Sequence, residues 1–165
     1  MTPAEILLAF VTAERLAELW LARRNTAALI DNGAFEVASG HYPLIVALHT
    51  LWLGGLWLIG WARPVDATWL VIFLVLQVLR AWVLMTLGRR WTTRIIVLPG
   101  APLITAGPYR WLPHPNYLVV IGEIAVLPLC LGLPWYALAF SAANLAVLRI
   151  RVRAENSSLF LAQGK

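Results

Sequence analysis

The chain has 165 residues, 61% of them hydrophobic and only 13% charged, with a formal net charge of +5 and a mean hydropathy of +0.76. A soluble domain carries roughly a quarter charged residues, so a water-soluble globular fold is excluded and lipid is the expected solvent for much of the chain. A single cysteine, Cys130 in the apolar run LPLCLGLP, excludes a disulfide framework and reads as a small core hydrophobe.

The N-terminus, MTPAEILLAF, has an acid where a cleavable signal needs a basic region, so no signal peptide is expected. Apolar stretches near 3–22, 43–62, 66–87, 116–132 and 134–150 are long enough, or nearly so, to cross a hydrocarbon core of roughly 30 Å. The expectation is an all-α integral membrane protein with about five transmembrane helices, forming a single domain over 1–165. The last two spans are separated by Leu131-Gly132-Leu133-Pro134 and read as a tight helical hairpin, its helices somewhat short or tilted. The 9 Trp suit the membrane interfaces, where an amphipathic ring sits half in and half out.

Most of the 13 Lys and Arg fall on one side of these spans. Arg23 and Arg24 follow the first; Arg89, Arg90, Arg94 and Arg110 separate the third and fourth; Arg149, Arg151, Arg153 and Lys165 follow the fifth. Only Arg63 lies between the second and third. The positive-inside rule puts the N-terminus outside and the C-terminus in the cytoplasm. Topology accounts for the basic residues, so nucleic acid is not an expected partner.

Three cytoplasmic segments follow from this topology. The first, 23–42, has an Asp31-Asn32-Gly33 turn and ends in His41-Tyr42-Pro43. The second, 88–115, has turns at Pro99-Gly100 and Gly107-Pro108 and reads as an ordered loop or short hairpin. The third, 149–162, can continue the fifth helix beyond the membrane.

Several spans carry groups that lipid tolerates only when they are paired or face a wet cavity. Glu14 and Glu18 share a face of span one beside Arg15; Gln77 and Arg80 share a face of span three; His49 and Glu123 sit in spans two and four. Either they are interhelical polar glue, with Glu14 or Glu18 paired to Arg15 or Arg80, or they line a ligand cavity open to the cytoplasm. His49 reads as a satisfied bundle histidine.

The densest chemistry is Gly107-Pro108-Tyr109-Arg110, then His114-Pro115-Asn116-Tyr117, then Arg151 and Glu155 beyond the hairpin. The hairpin returns the chain to the same face, so topology alone brings these segments together. Arg151 and Glu155, at i and i+4, can point at one pocket. The acid-before-base order is the better one for helix stabilisation, and here it is reversed. The three His are too scattered to hold a metal.

The run GPYRWLPHPNY, followed by two spans and R-x-x-x-E, resembles the isoprenylcysteine carboxyl methyltransferase family of membrane methyltransferases. ERLAELWLARRN, GAFEV and HYPLIVALH resemble its short bacterial members, some of which methylate alkylpyrone or alkylresorcinol products of type III polyketide synthases. The resemblance implies S-adenosylmethionine at a cytoplasmic site. It assigns Tyr109, Arg110, His114, Pro115 and Tyr117 to cofactor binding and Arg151 and Glu155 to catalysis. The chain departs from the pattern at Pro113, where a basic residue is usual, and at Asn156, where a second acid is common.

Arg110 or His114 suits the cofactor carboxylate, and Tyr109, Tyr117, Trp91 or Trp111 the adenine and sulfonium. A carboxylate acceptor needs only Arg151 to hold it; a phenol or enol needs a general base, Glu155 or His114. The implied activity is O-methylation of a lipophilic small molecule at the bacterial cytoplasmic membrane. The competing readings are a membrane reductase with a nicotinamide cofactor on a related scaffold, and a non-catalytic assembly partner.

Overall fold

Five helices follow in order: α1 (Pro3–Asp31), α2 (Tyr42–Ile59), α3 (Ala67–Leu87), α4 (Pro115–Cys130) and α5 (Pro134–Gln163). The computed structural model describes residues 1–163, and for 154 and 156–163 the backbone alone. Gly164 and Lys165, the latter among the basic residues counted above, lie outside the described residues.

Local chemistry sets the helix ends. A capping box starts α1: the Thr2 side chain accepts from Glu5 N, and the Glu5 side chain accepts from Thr2 N. The Asp66 carboxylate opens α3 by accepting from Thr68 N and Trp69 N at 2.8 and 3.1 Å, while its own N–H reaches Cys130 O at 2.8 Å. The α4–α5 corner is a Schellman turn. Gly132 takes the left-handed conformation at φ 64, Gly132 N donates to Leu129 O and Leu133 N to Pro128 O, and Pro134 starts the next helix.

Three sequence-based boundaries change. Span one was expected to stop near 22, but α1 continues to Asp31, because RRNTAALID contains no helix breaker and only Gly33 (φ 87) ends it. The region 88–115 forms no hairpin of its own. Its strand β2 (Ile96–Val97) pairs antiparallel with β1 (Phe35–Glu36) in the first connection, with Phe35 opposite Val97. Helix α2 ends at Ile59, short of 62, because Gly60 leads into a turn.

The helices α2 and α3, each with its flanking 3-10 turn, are long and apolar enough to cross a membrane. They turn Leu51, Leu58, Val71, Val75, Val78 and Met85 outward. Helix α4 is apolar but has 16 residues, about 24 Å at 1.5 Å per residue.

Along the bundle the interior falls into tiers. At the hairpin end, Leu8, Val11, Trp52, Leu56, Phe73, Ile124, Leu127 and Cys130 form an apolar core. Next comes a tier of buried charge: Glu18, Arg80 and Glu123 are 7%, 5% and 1% exposed. Beyond it, at the basic end, lie the two β-strands, the connection 88–115 and the outer part of α5.

Candidate functional site

The second connection delivers its residues through a sequence of turns. Ala101 N donates to Leu98 O at 3.2 Å across Pro99-Gly100, with Gly100 at φ 72, as a Pro-Gly turn requires. Residues Gly107–Arg110 then form one 3-10 turn. Gly107 has φ 55, and a Cβ there would lie 2.4 Å from Thr86 Oγ1, so only glycine lets this turn seat against α3. Pro108 is buried in that seat, and buried Pro115 begins α4.

The hydroxyl of Tyr117, on the first turn of α4, is the centre of the site. Arg151 Nε donates to it at 2.9 Å. It in turn donates to Glu155 Oε2. The i, i+4 pair on α5 therefore addresses one phenol oxygen from two sides. His114 stacks on the Tyr117 ring, with centroids 5.1 Å apart and planes 19° apart, and its Nδ1 lies 4.0 Å from Glu155 Oε2. The Arg151 guanidinium also lies 5.6 Å from the centroid of the Tyr117 ring.

Burial, and then the nearby Glu155 charge, push the Tyr109 hydroxyl up to about 12. Tyr109 thus stays an O–H donor at neutral pH. Arg110, on the same turn, is exposed. The structure therefore joins Tyr109, His114, Tyr117, Arg151 and Glu155, brackets them with Pro115, and leaves Arg110 in solvent at the rim. Pro113 is exposed, and the side chain of Asn156 lies outside the described residues.

The site contains a contact that sequence reasoning missed: Arg151 Nη1 donates to the backbone carbonyl of Thr93 at 2.8 Å. A backbone acceptor carries no residue signature. The Thr93 hydroxyl shares a 3.1 Å hydrogen bond with Tyr42, whose ring lies 4.7 Å from the Arg94 guanidinium.

The buried charges of α1, α3 and α4 form a second cluster. Arg80 binds Glu18 through Nε and Nη2, and Glu123 Oε2 through Nη1 at 2.7 Å. Arg15 binds Glu18 at 2.8 Å and Glu123 at 2.6 Å, and Gln77 donates to Glu123 Oε1 at 2.9 Å. Glu14 is the outlier: its Oε1 is 3.8 Å from Arg80 Nε, and its buried Oε2 has no hydrogen-bond partner among the described residues. A groove of about 460 Å³ between α1 and α3 opens beside it, lined by Phe10, Glu14, Trp20, Gln77, Arg80 and Leu84 among others. His49 Nδ1 is 2.9 Å from Ile45 O in its own helix, as a satisfied bundle histidine would be.

Residues 69–161 match the model of the isoprenylcysteine carboxyl methyltransferase (ICMT) family. The chain is also 36% identical over 159 residues to "Uncharacterized protein YpbQ" of Bacillus subtilis (strain 168), covering 93% of this chain and 95% of that protein. No solved structure matches the chain.

Proposed function

The chain belongs to the isoprenylcysteine carboxyl methyltransferase family of membrane methyltransferases, and on that premise we propose that it transfers a methyl group from S-adenosylmethionine to an oxygen of a lipophilic acceptor. The observation that carries this reading is the convergence of Arg151 and Glu155 on the Tyr117 hydroxyl.

Methyltransferases of this family use S-adenosylmethionine, and the residues present fit such a ligand. Glu155 is a carboxylate for a cationic centre, the stacked His114 and Tyr117 rings offer a face for a flat heterocycle, and Arg110 offers an exposed guanidinium for a carboxylate. When bound, the cofactor supplies a methyl group on a sulfonium, open to in-line displacement. The protein's own contribution is orientation and proton handling. Arg151 fixes the Tyr117 oxygen. Glu155 Oε2, which accepts from Tyr117, is placed to take the proton an acceptor hydroxyl gives up as its oxygen forms the new bond.

The acceptor reaches the site through the bilayer in this reading. The groove between α1 and α3 has apolar walls and a polar floor of Glu14, Glu18, Gln77 and Arg80, behind which Arg15 and Glu123 complete the ion-pair network. Glu14 Oε2, buried and without a hydrogen-bond partner among the described residues, is an acceptor open to a donor head. An unpartnered acceptor atom there favours a phenol or enol hydroxyl on a long chain, which can donate, over a carboxylate, which cannot. The five helices then span the bacterial cytoplasmic membrane with the N-terminus outside and the Tyr117 cluster at the cytoplasmic face, as the basic residues require.

Incubation of membranes with methyl-labelled S-adenosylmethionine, followed by extraction, tests the proposal. Label is expected in a lipid-soluble product, with long-chain phenols or enols outcompeting prenylated or fatty carboxylates when supplied. Label absent from the extract, or equal in Arg151→Ala membranes, removes the proposal; preferential labelling of carboxylates removes the hydroxyl assignment.

A further inference from the structure

The two connections meet α5 at a single peptide. Thr93 lies between the 3-10 turn 88–90 and β2, outside any regular element. Its carbonyl nevertheless receives Arg151 Nη1 at 2.8 Å while Arg151 Nε reaches Tyr117 at 2.9 Å. Two bonds from one planar guanidinium fix both its position and its rotation. One of them, to Thr93, depends on a loop.

That loop is braced from the first connection. The Thr93 hydroxyl shares its hydrogen bond with Tyr42, at the start of α2. The next residue, Arg94, lies over the Tyr42 ring at 4.7 Å and donates to Glu36 Oε2 at 2.7 Å. Glu36 belongs to β1, which pairs with β2, and Val37 N donates to Ile95 O at 3.0 Å. Thr93 is thus held from its side chain by Tyr42 and from its C-terminal side by Glu36, Arg94 and the strand pair. As an isolated surface pair, Glu36–Arg94 would contribute only about 0–1 kcal/mol to stability. Its placement, one residue from the peptide that holds Arg151, gives it a different task.

We infer that Tyr42, with the Glu36–Arg94 pair across its ring, is a positioning unit that holds the Thr93 carbonyl and through it sets the orientation of Arg151. The inference rests on the methyltransferase reading for its kinetic consequence, but the geometry it asserts is measurable without turnover. Tyr42, Glu36 and Arg94 are positioning residues and do not touch the reacting atoms.

The test is a double-mutant cycle on the full-length protein in detergent or nanodiscs. Tyr42→Phe keeps the ring beneath Arg94 and removes the hydroxyl, and with it the bond to Thr93. It is expected to lower kcat about threefold to tenfold, with KM for S-adenosylmethionine within about twofold and the melting temperature nearly unchanged. In an Arg151→Lys background, where a rotatable ammonium replaces the planar fork whose separate nitrogens reach Tyr117 and Thr93, the same substitution is expected to have little further effect, because interacting sites are non-additive. Glu36→Arg is expected to lower kcat similarly, and adding Arg94→Glu to restore most of it.

Equal losses from Tyr42→Phe in both backgrounds, or no loss in the wild-type background, overturn the inference while leaving the methyltransferase reading intact. A wild-type protein that transfers no methyl group overturns that reading instead. The geometry is then decided by hydrogen exchange of the Arg151 Nε–H, followed by nitrogen-15 NMR and assigned by its loss in Arg151→Lys. Faster exchange in Tyr42→Phe supports the inference, and unchanged exchange overturns it.

Discussion

The cluster around Arg80 and the cluster around Tyr117 are built from the same residue types, yet water treats them differently. The Arg80 and Glu123 side chains are 6% and 1% exposed, and both arginines of that tier are matched by a carboxylate from another helix. The His114 and Glu155 side chains are 27% and 28% exposed, Arg151 is buried beside them at 9%, and α5 directs Arg151 and Glu155 at a neutral phenol. Buried charge is expensive unless paired, so the first cluster holds α1, α3 and α4 in register. Charge at the rim can remain partly unsatisfied, and such groups remain free to engage a ligand. The lesson is that a buried acid or base in this protein is to be read by what it pairs with.

Arg80→Met attacks the difference most directly. It leaves Glu18 and Glu123 undercompensated in the interior and is expected to cost about 3–5 kcal/mol, seen as a large fall in melting temperature in detergent. Arg151→Ala and Glu155→Ala should do the opposite, cutting methyl transfer at least about tenfold, or about 1.4 kcal/mol of transition-state stabilisation, with melting temperatures close to wild type. If either substitution instead unfolds the protein while turnover per folded molecule is kept, the two clusters do not divide the work as described.

Smaller effects sharpen the boundary. Gly107→Ala places a Cβ against Thr86 at φ 55 and should cost about 1 kcal/mol or more of backbone strain, together with reduced turnover as the Tyr109 turn is displaced; thermal unfolding and rate assays on one preparation check both. Tyr109 gives the mildest expectation. Its hydroxyl titrates at about 12 in the folded protein against 10.0 for an ordinary tyrosine, so the folded state holds the proton longer. That stability is fully present below pH 10 and lost as pH rises toward 12. The alkaline slope of stability should therefore be shallower in Tyr109→Phe, as unfolding curves over that range would show.

Composition and spacing revealed much of this in advance. Low charge and apolar runs announced a lipid-embedded bundle, and Gly132 with Pro134 announced the hairpin. The tail pair could be placed beside His114-Pro115-Asn116-Tyr117 because a helical hairpin returns the chain to the end from which it set out. Other features were hidden for physical reasons. A hydropathy window ends at Arg23, but helix propensity does not, so the last turns of α1 were missed. Strands of two residues have no periodicity to read, which concealed the pairing of Phe35–Glu36 with Ile96–Val97. Glu123 stood as a lone acid in span four because its partners come from other helices, and sequence does not specify how helices cross. Thr93 acts through its carbonyl, which every residue possesses.

Helix α5 runs without interruption from Pro134 through Arg151 and Glu155 to Gln163. Its start is pinned by the Schellman corner, so the pair's height and bearing are counted out from Pro134 like marks on a screw thread. One residue more or less in that count advances the pair by about 1.5 Å and turns it by about 100°, away from the tyrosine it serves. The length of the last helix is therefore itself part of the site, and residues between Pro134 and Arg151 that touch nothing in the site are bound by a constraint on their number even where their identity is free.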